Sequence, residues 1–427
     1  MSKHSMPGPG PVLHAATNPY RAGALRAVLA ALFAVALFVV STGWFLYHDL
    51  TSTVANNAID ISGLGSQSGT ASVTTELPAD QFQGKALNIL VVGVDSREGK
   101  QNSEYGTTSQ VSGMRGDTTM LMHISADRSR VQIVSIPRDL MTEIPACTRS
   151  DGSSSVAQYA MFNSAIPLGN NDTYDVASGI ACTKATTEKL TGLTVNAFMV
   201  VDFSGFKSMI DALGGVWFNL DKASYDQDSG LNLPAGCQKL DGTNALAYAR
   251  ARHNLGDGSD ISRIGRQQQL VGAIMREALS KNYVTDLPAL LSFVKQALAS
   301  VSTSTNLSNL NSDAGLLLSM MNVDKANIQF VTMPWVADPA DINRVVEDET
   351  TAPALWKALS EDHTFPVGLT YTDGTGAEKT VTETTTAQSG TETAKSASPA
   401  ASDTASTSAS TASPSPSATP TSCPANR

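Results

Sequence analysis

Three short clusters in this chain set an aspartate beside an arginine. "GVDSREG" holds Asp95 and Arg97, "RGDTT" holds Arg115 and Asp117, and "SIPRDL" holds Arg138 and Asp139. A fourth stretch, "RARHNLGDGSDISRIGRQQQL", gathers Arg250, Arg252, Arg263 and Arg266 with Asp260 and Gln267. Guanidinium is a rigid fork that grips phosphate oxygens in pairs. Two carboxylates such as Asp95 and Asp117 suit Mg²⁺, which keeps several waters and completes its shell with substrate phosphates. The chain has a formal net charge of −10. Packing guanidinium groups together in such a chain makes sense where a polyanion such as pyrophosphate fills the space between them. Taken singly, each of these residues is as well explained by a surface ion pair worth about 0–1 kcal/mol. The set is harder to dismiss, because the first three clusters fall where apolar strands finish or begin. Arg149, Arg276 and Arg344 stand alone and read as surface charges.

The elements that must position these groups follow from periodicity. "LNILVVGVD" (87–95) is a nearly continuous apolar run ending at an acid, so it reads as a buried strand that opens into a loop. "TTMLMHIS" (118–125) and "VQIVSIPR" (131–138) are two more strands, joined by the polar turn "ADRSR". "NAFMVVDFSGFKSMIDALGGVWFNL" reads as strand, helix, double-glycine stop and strand. "DISRIGRQQQLVGAIMREALSK" predicts a long helix with Asp260 at its N-cap. On that helix Asp260, Arg263 and Gln267 share one face, and Ile261, Ile264, Val271 and Ile274 form a neighbouring apolar stripe. If Arg250 and Arg252 lie on extended chain, both point the same way. "DLPALLSFVKQALASV" and "NSDAGLLLSMMN" read as apolar-faced helices, candidates to line a lipid pocket, and "ANIQFVTMPW" as a late strand. Interleaved strands and helices give a layered α/β class.

The ends differ from the middle. Residues 27–47 carry no charge, and 21 helical residues span roughly 31 Å, about a bilayer's hydrocarbon core. Lys3, Arg21 and Arg26 precede this run without an acid among residues 1–26. The expectation is a cytoplasmic segment (1–26), a single transmembrane helix (27–47) and everything after it outside the cell; a cleaved signal peptide is the rival reading. Residues 48–83 read as a linker, 84–372 as one extracytoplasmic domain, and 373–427 as a disordered Ser/Thr/Ala/Pro-rich tail. Outside the cell disulfides form. Cys147 and Cys182 flank a loop-rich insert and are the candidate pair, whereas Cys237 reads as free and Cys423 falls in the tail. There is no Cys-x-x-Cys, no His-x-x-x-His, no Gly-x-Ser-x-Gly and no P-loop, so zinc-ribbon, zincin, serine-hydrolase and P-loop chemistries have no support.

Read together, "NILVVGVDSREG", "RGDTTMLMHIS", "VQIVSIPRDL", "FNSA", "DFSGFKSMIDALGGV", "LDGTNALAYARAR" and "GDGSDISRIGRQQ" resemble the LytR-CpsA-Psr family, in the family's order from Asn88 to Gln268. The resemblance implies a layered α-β-α domain around a central mixed sheet, with a pocket for a lipid. It implies a membrane-anchored, Mg²⁺-dependent phosphotransferase of cell wall biogenesis. Such an enzyme moves a glycopolymer from a polyprenyl-pyrophosphate carrier onto a hydroxyl of peptidoglycan or of a surface protein. Asp95 and Asp117 then match the magnesium-associated carboxylates, and Arg97, Arg115 and Arg138 match active-site arginines. Arg138, Arg250, Arg252, Arg263 and Gln267 match the pyrophosphate-binding set, with Asp260 orienting it. A polyprenyl-phosphate binder without catalysis and a pyrophosphatase remain alternatives. A DNA-binding regulator is disfavoured by the net charge and a sequence pI near 5.1.

Overall fold

The computed structural model describes residues 56–64, 80–95, 114–251, 260–280, 299–307 and 323–382, with isolated positions besides, Cys423 among them. Nearly all lie in the unit Thr53–Arg427; the unit Met1–Ser52 contributes few described residues. The expected transmembrane run 27–47 and most of the apolar helix expected over 286–301 lie outside the described residues. Among the described residues, no helix is long and apolar enough to cross a membrane.

The chain opens with β1 (Ala58–Ile59), β2 (Leu87–Asp95), β3 (Arg115–Ile124) and β4 (Val131–Ile136). A hairpin of β5 (Met141–Ile144) and β6 (Gln158–Met161) leads into α1 (Ala165–Asn170) and α2 (Val176–Thr191). Asp175 caps α2 by accepting from the Ser178 N–H, and Gly192 ends it at φ 70°. β7 (Ala197–Asp202) runs directly into α3 (Phe203–Ala212), where Asp202 accepts from the Gly205 N–H at 2.7 Å. Short antiparallel pieces follow: β8 (Val216–Leu220), β9 (Ser224–Asp226), β10 (Leu231–Leu233) and β11 (Gly236–Leu240). Then come α4 (Gly242–Arg250), capped by Asp241, and the long α5 (Asp260–Ser280). The last elements are β12 (Val301–Ser304), β13 (Ile328–Thr332), β14 (Trp335–Ala337), β15 (Val345–Glu347), α6 (Ala352–Ser360), β16 (Thr370–Asp373) and β17 (Glu378–Thr380).

Nine strands make one mixed sheet in the order β1-β12-β7-β2-β3-β4-β13-β16-β17. β2 is parallel to β7 and β4 to β13, while β3 runs antiparallel between β2 and β4. The C-terminal ends of β2, β4, β7 and β13 therefore meet the N-terminal end of β3 at one edge. Leu90, Val92, Val134 and Phe198 pack one face of the sheet against Ile166 of α1, Ile180 of α2 and Leu355 of α6. Met120, Ile133 and Phe330 pack the other face against Val271 and Met275 of α5. α3, α4 and α5 enclose a satellite core with β8 and β11. The result is helices over both faces of a central mixed sheet.

Several expectations need correction. Ala58–Ile59 pair with Thr303–Ser304 in the main sheet, so 48–83 is not all linker. β16 and β17 carry the domain past residue 372, as far as Thr380. Their residues are polar and largely exposed, so hydrophobic alternation could not announce them. The expected pair of Cys147 and Cys182 is bonded, joining the segment after β5 to α2. Cys237 is bonded to Cys423, which ties the tail to β11. The residue facing Cys237 across the β8–β11 ladder is Asn219, so its own hairpin offers no partner and the tail supplies one.

The "ADRSR" turn does form, but Arg128 in it is buried and sits in the left-handed region at φ 58°. Its Nε donates to Asp80 Oδ2 at 2.8 Å, and its Nη atoms donate to the carbonyls of Phe82, Lys85 and Ser125. Both side chains of this ion pair are buried, at 6% and 4% exposure. Burial alone would raise the Asp80 carboxyl, but bonds from Arg128, Phe82 and Ser319 outweigh it and hold the pKa below its usual value. The pair's stabilisation is complete above the unfolded carboxylate value of about 4 and is lost as pH falls through the depressed folded value. Arg128→Ala strands a buried carboxylate, so at pH 7 it should cost about 3–5 kcal/mol of unfolding free energy by urea titration. That deficit should shrink in acid as Asp80 takes up a proton.

Candidate functional site

The sheet edge is shaped by an irregularity. Gly93 faces Thr118, but Val94 faces Gly116, so Asp117 is one residue extra on β3. A strand side chain normally alternates faces, and an inserted residue re-aims its neighbours. Here both Asp117 and Thr118 line the same cavity, together with Val91, Gly93 and Asp95 of β2. Two glycines make room. A Cβ on Gly116 would come within 3.0 Å of Ile166 Cδ1, and one on Gly93 within 3.3 Å of Thr118 Cβ. The glycines in "VVGVD" and "RGDTT" were the sequence signal for this bulge.

Asp117 belongs to a closed ring of charges. Arg138 Nη1 donates to Asp117 Oδ1 at 3.2 Å, and Arg138 Nε lies 2.9 Å from Asp260 Oδ1. Asp260 also pairs with Arg263, whose Nη2 donates back to the main-chain carbonyl of Asp117 at 3.1 Å. Asp139 stands 3.5 Å from Arg138 Nε. Burial works against the Arg138 charge, but Asp260, Asp139 and Asp117 outweigh it and hold its pKa above the ordinary value. The ring links β3, the end of β4 and the first turn of α5. Among the described residues the site is acid-rich: Asp202, Asp226 and Asp228 also line the cavity, so with Asp95, Asp117, Asp139 and Asp260 seven carboxylates stand against Arg115, Arg138, Arg250 and Arg263.

A cavity of about 540 Å³ opens beside this ring. α5 forms one wall, with Arg263 and Gln267 at the charged end and Leu270, Val271 and Ile274 further along. From Asp260 these positions follow i, i+3, i+7, i+10, i+11 and i+14, so one helical face changes from charged to apolar along its length. That span is about 21 Å at 1.5 Å per residue. Phe203, Phe206 and Met209 of α3 and Leu246 of α4 complete the apolar part. The arrangement matches a ligand with an anionic head and a long apolar tail.

The cavity or the ring thus gathers Asp95, Asp117, Arg138, Arg250, Asp260, Arg263 and Gln267. Arg115 pairs in register with Asp95 but is exposed. Arg97 and Arg252 lie outside the described residues. Arg250 is not on extended chain: it ends α4, and its guanidinium stacks 4.8 Å from the Phe203 ring centroid. Asp260 is the first residue within α5. Arg266 turns away from the cavity and donates to Ser262 Oγ and the Ala251 carbonyl, bracing α4 against α5. Gln267 donates to the Ala249 carbonyl at 3.3 Å from the cavity side. Sequence reading missed the apolar lining from α3 and α4, because those side chains look like ordinary core at helical spacing.

Residues 52–361 match the LytR_cpsA_psr (LytR-CpsA-Psr) family. The chain is 28% identical over 341 residues to the cell wall biosynthesis protein LcpA of Corynebacterium glutamicum, covering 76% of this chain and 62% of LcpA. It thus spans less than two thirds of that relative's length. It is 29% identical over 257 residues to the polyisoprenyl-teichoic acid–peptidoglycan teichoic acid transferase TagU of Oceanobacillus iheyensis, covering 60% of this chain and 71% of TagU. Among solved structures, the protein gbs0355 of Streptococcus agalactiae aligns with a TM-score of 0.51 at 17% identity, over 67% of this chain and 91% of that one. That likeness concerns the fold.

If the ring holds an anionic head, Arg138→Ala should weaken binding of inorganic pyrophosphate about 10- to 100-fold by calorimetry, the cost of losing a charged hydrogen bond. The circular dichroism spectrum should stay unchanged.

Proposed function

The chain belongs to the LytR-CpsA-Psr family, and from that membership we propose that it transfers a glycopolymer from a polyprenyl-pyrophosphate carrier to a cell-wall hydroxyl, on peptidoglycan or a glycosylated surface protein. The observation that carries the reading is the face of α5 that runs from Asp260, Arg263 and Gln267 to Leu270, Val271 and Ile274 along one cavity. The prenyl tail lies against Phe203, Phe206 and Ile274, and the pyrophosphate rests at Arg250 and Arg263 of the cavity wall, with Arg138 behind Asp117. The names of LcpA and TagU support a role in cell wall biosynthesis.

The chemistry asked of the protein is mainly electrostatic. The acceptor hydroxyl attacks the sugar-linked phosphorus in line, forming a new O–P bond. The bridging P–O bond breaks, and lipid monophosphate departs into the cavity. The guanidinium forks, already fixed by their acids, meet the charge developing on the departing phosphate without having to reorganise. An aspartate of the cavity wall takes the acceptor's proton.

A divalent ion fits this site by its donor set. Asp95 and Asp117 line one wall, and no group of three metal-ligating side chains occurs among the described residues. Such an ion would draw its other ligands from phosphate and water, which is the habit of Mg²⁺. Bound there, Mg²⁺ would supply positive charge at a site where acids outnumber arginines. Residues 27–47 would anchor the protein in the cell membrane and place the domain outside, where the lipid carrier presents its glycan.

Incubation with a lipid-pyrophosphate glycan, Mg²⁺ and acceptor should couple release of lipid monophosphate to glycan transfer. Release without transfer makes the protein a pyrophosphatase, and binding without turnover makes it a carrier. Ile274→Asp puts a charge in the apolar half, so affinity for a long-chain prenyl pyrophosphate should fall about tenfold or more while inorganic pyrophosphate binds as before. Asp117→Asn should raise the Mg²⁺ concentration needed for half-maximal turnover.

A further inference from the structure

The backbone that carries Arg138 continues outward into a surface layer. The Val345 N–H donates to the Asp139 carbonyl at 3.4 Å, and Leu140 bridges Val345 in parallel. The Asn163 N–H donates to the Arg138 carbonyl at 3.1 Å. β5 pairs with β6, and β15 pairs with β14. Two hairpins are thus rooted side by side on the main chain of Arg138–Leu140. They belong to the face of the sheet opposite the cavity, since Leu140 packs in the core with α1, α2 and α6.

This layer is unusually apolar. Seven large apolar side chains are exposed among the described residues, and five of them lie here: Val156, Tyr159, Trp335, Val336 and Ile342. Tyr159 is 57% exposed and Trp335 37%. Scattered exposed apolar residues need no explanation, but a concentration beside a reactive centre does. The charges set among them are mostly acidic. Glu143 faces Tyr159 across the β5–β6 ladder and pairs with Lys189 at 2.7 Å; Asp338 and Asp341 occupy the β14–β15 loop, where Arg344 pairs with Asp341 at 3.8 Å. The Leu140–Val345 bridge sets β15 beside β5, so the two hairpins lie next to each other.

We propose that the surface formed by the β5–β6 and β14–β15 hairpins, centred on Tyr159 and Trp335, docks the acceptor as a neutral polysaccharide strand. The inference rests on the transferase reading above. Sugar rings present C–H faces that stack on exposed aromatic rings, and their hydroxyls donate to carboxylates. A polyanionic strand is disfavoured because Glu143, Asp338 and Asp341 outnumber Lys189 and Arg344 on this surface. The position suits the reaction: with the lipid leaving into the cavity on one face, an in-line nucleophile enters from the other side of Arg138.

The test uses the full-length protein and two soluble probes, a tetramer of N-acetylglucosamine and a poly(glycerol phosphate) of similar length. Calorimetry should show the neutral tetramer binding and the polyphosphate failing to bind. Tyr159→Ala should weaken the tetramer about tenfold, and a second removal at Trp335→Ala further still. Inorganic pyrophosphate affinity should not move in either variant. In the transfer assay Tyr159→Ala should raise the acceptor KM and leave kcat and the rate of lipid monophosphate release in water unchanged. The proposal is overturned if the tetramer does not bind, if Tyr159→Ala binds it as tightly as the native protein, or if the polyphosphate binds better. Tyr159-dependent sugar binding in a protein that transfers nothing would sink the transferase reading and keep the surface.

Discussion

A ring of four side chains, Asp117, Arg138, Asp260 and Arg263, holds the reactive edge together. The members come from three local contexts: a bulged strand gives Asp117, the segment just after β4 gives Arg138, and the first turn of α5 gives both Asp260 and Arg263. Burying such charges is costly unless each finds partners in good geometry. The ring offsets that cost with close ion pairs, and the Asp117 main-chain carbonyl is its last link. The same contacts hold the guanidinium groups of Arg138 and Arg263 in place. The excess of acids has a second effect. Acids that position the arginines also more than cancel their charge, so holding a polyanion here would take a further cation or the arginines outside the described residues, Arg97 and Arg252.

The helix that supplies half of this ring also supplies the apolar wall. Asp260 and Ile274 are about four turns apart on α5. Gln268, on another side of the same helix, donates to Ser135 Oγ at 2.9 Å and reaches Thr332 Oγ1 at 3.4 Å. Those bonds pin α5 to β4 and β13 just below Arg138. The charged end and the apolar end of the cavity are therefore both lined by α5, and a shift of that helix moves both together.

Much of this was legible before folding. The strand readings over 87–95, 118–125 and 131–138 depended on long apolar runs, and a core on both sheet faces keeps such runs apolar. The shared face of Asp260, Arg263 and Gln267 followed from helical spacing alone. What stayed hidden was whatever depends on distant partners. Arg128 looked like a turn residue, yet its partners are Asp80 and three carbonyls. Arg266 looked like part of the cationic cluster, yet it spends its donors bracing α4. The polar strands β16 and β17 carry no hydrophobic period, and the bulge at Asp117 shows only as two glycines whose meaning depends on Ile166 and Thr118.

The bond between Cys237 and Cys423 changes the topology of the C-terminal part. A segment rich in serine, threonine and proline that hangs free is shed by a single protease cut. Here both ends are held, one by β17 in the main sheet and the other by the cysteine on β11. A nick anywhere between them opens a covalent loop and releases nothing. Shedding then takes two separate events, hydrolysis and reduction.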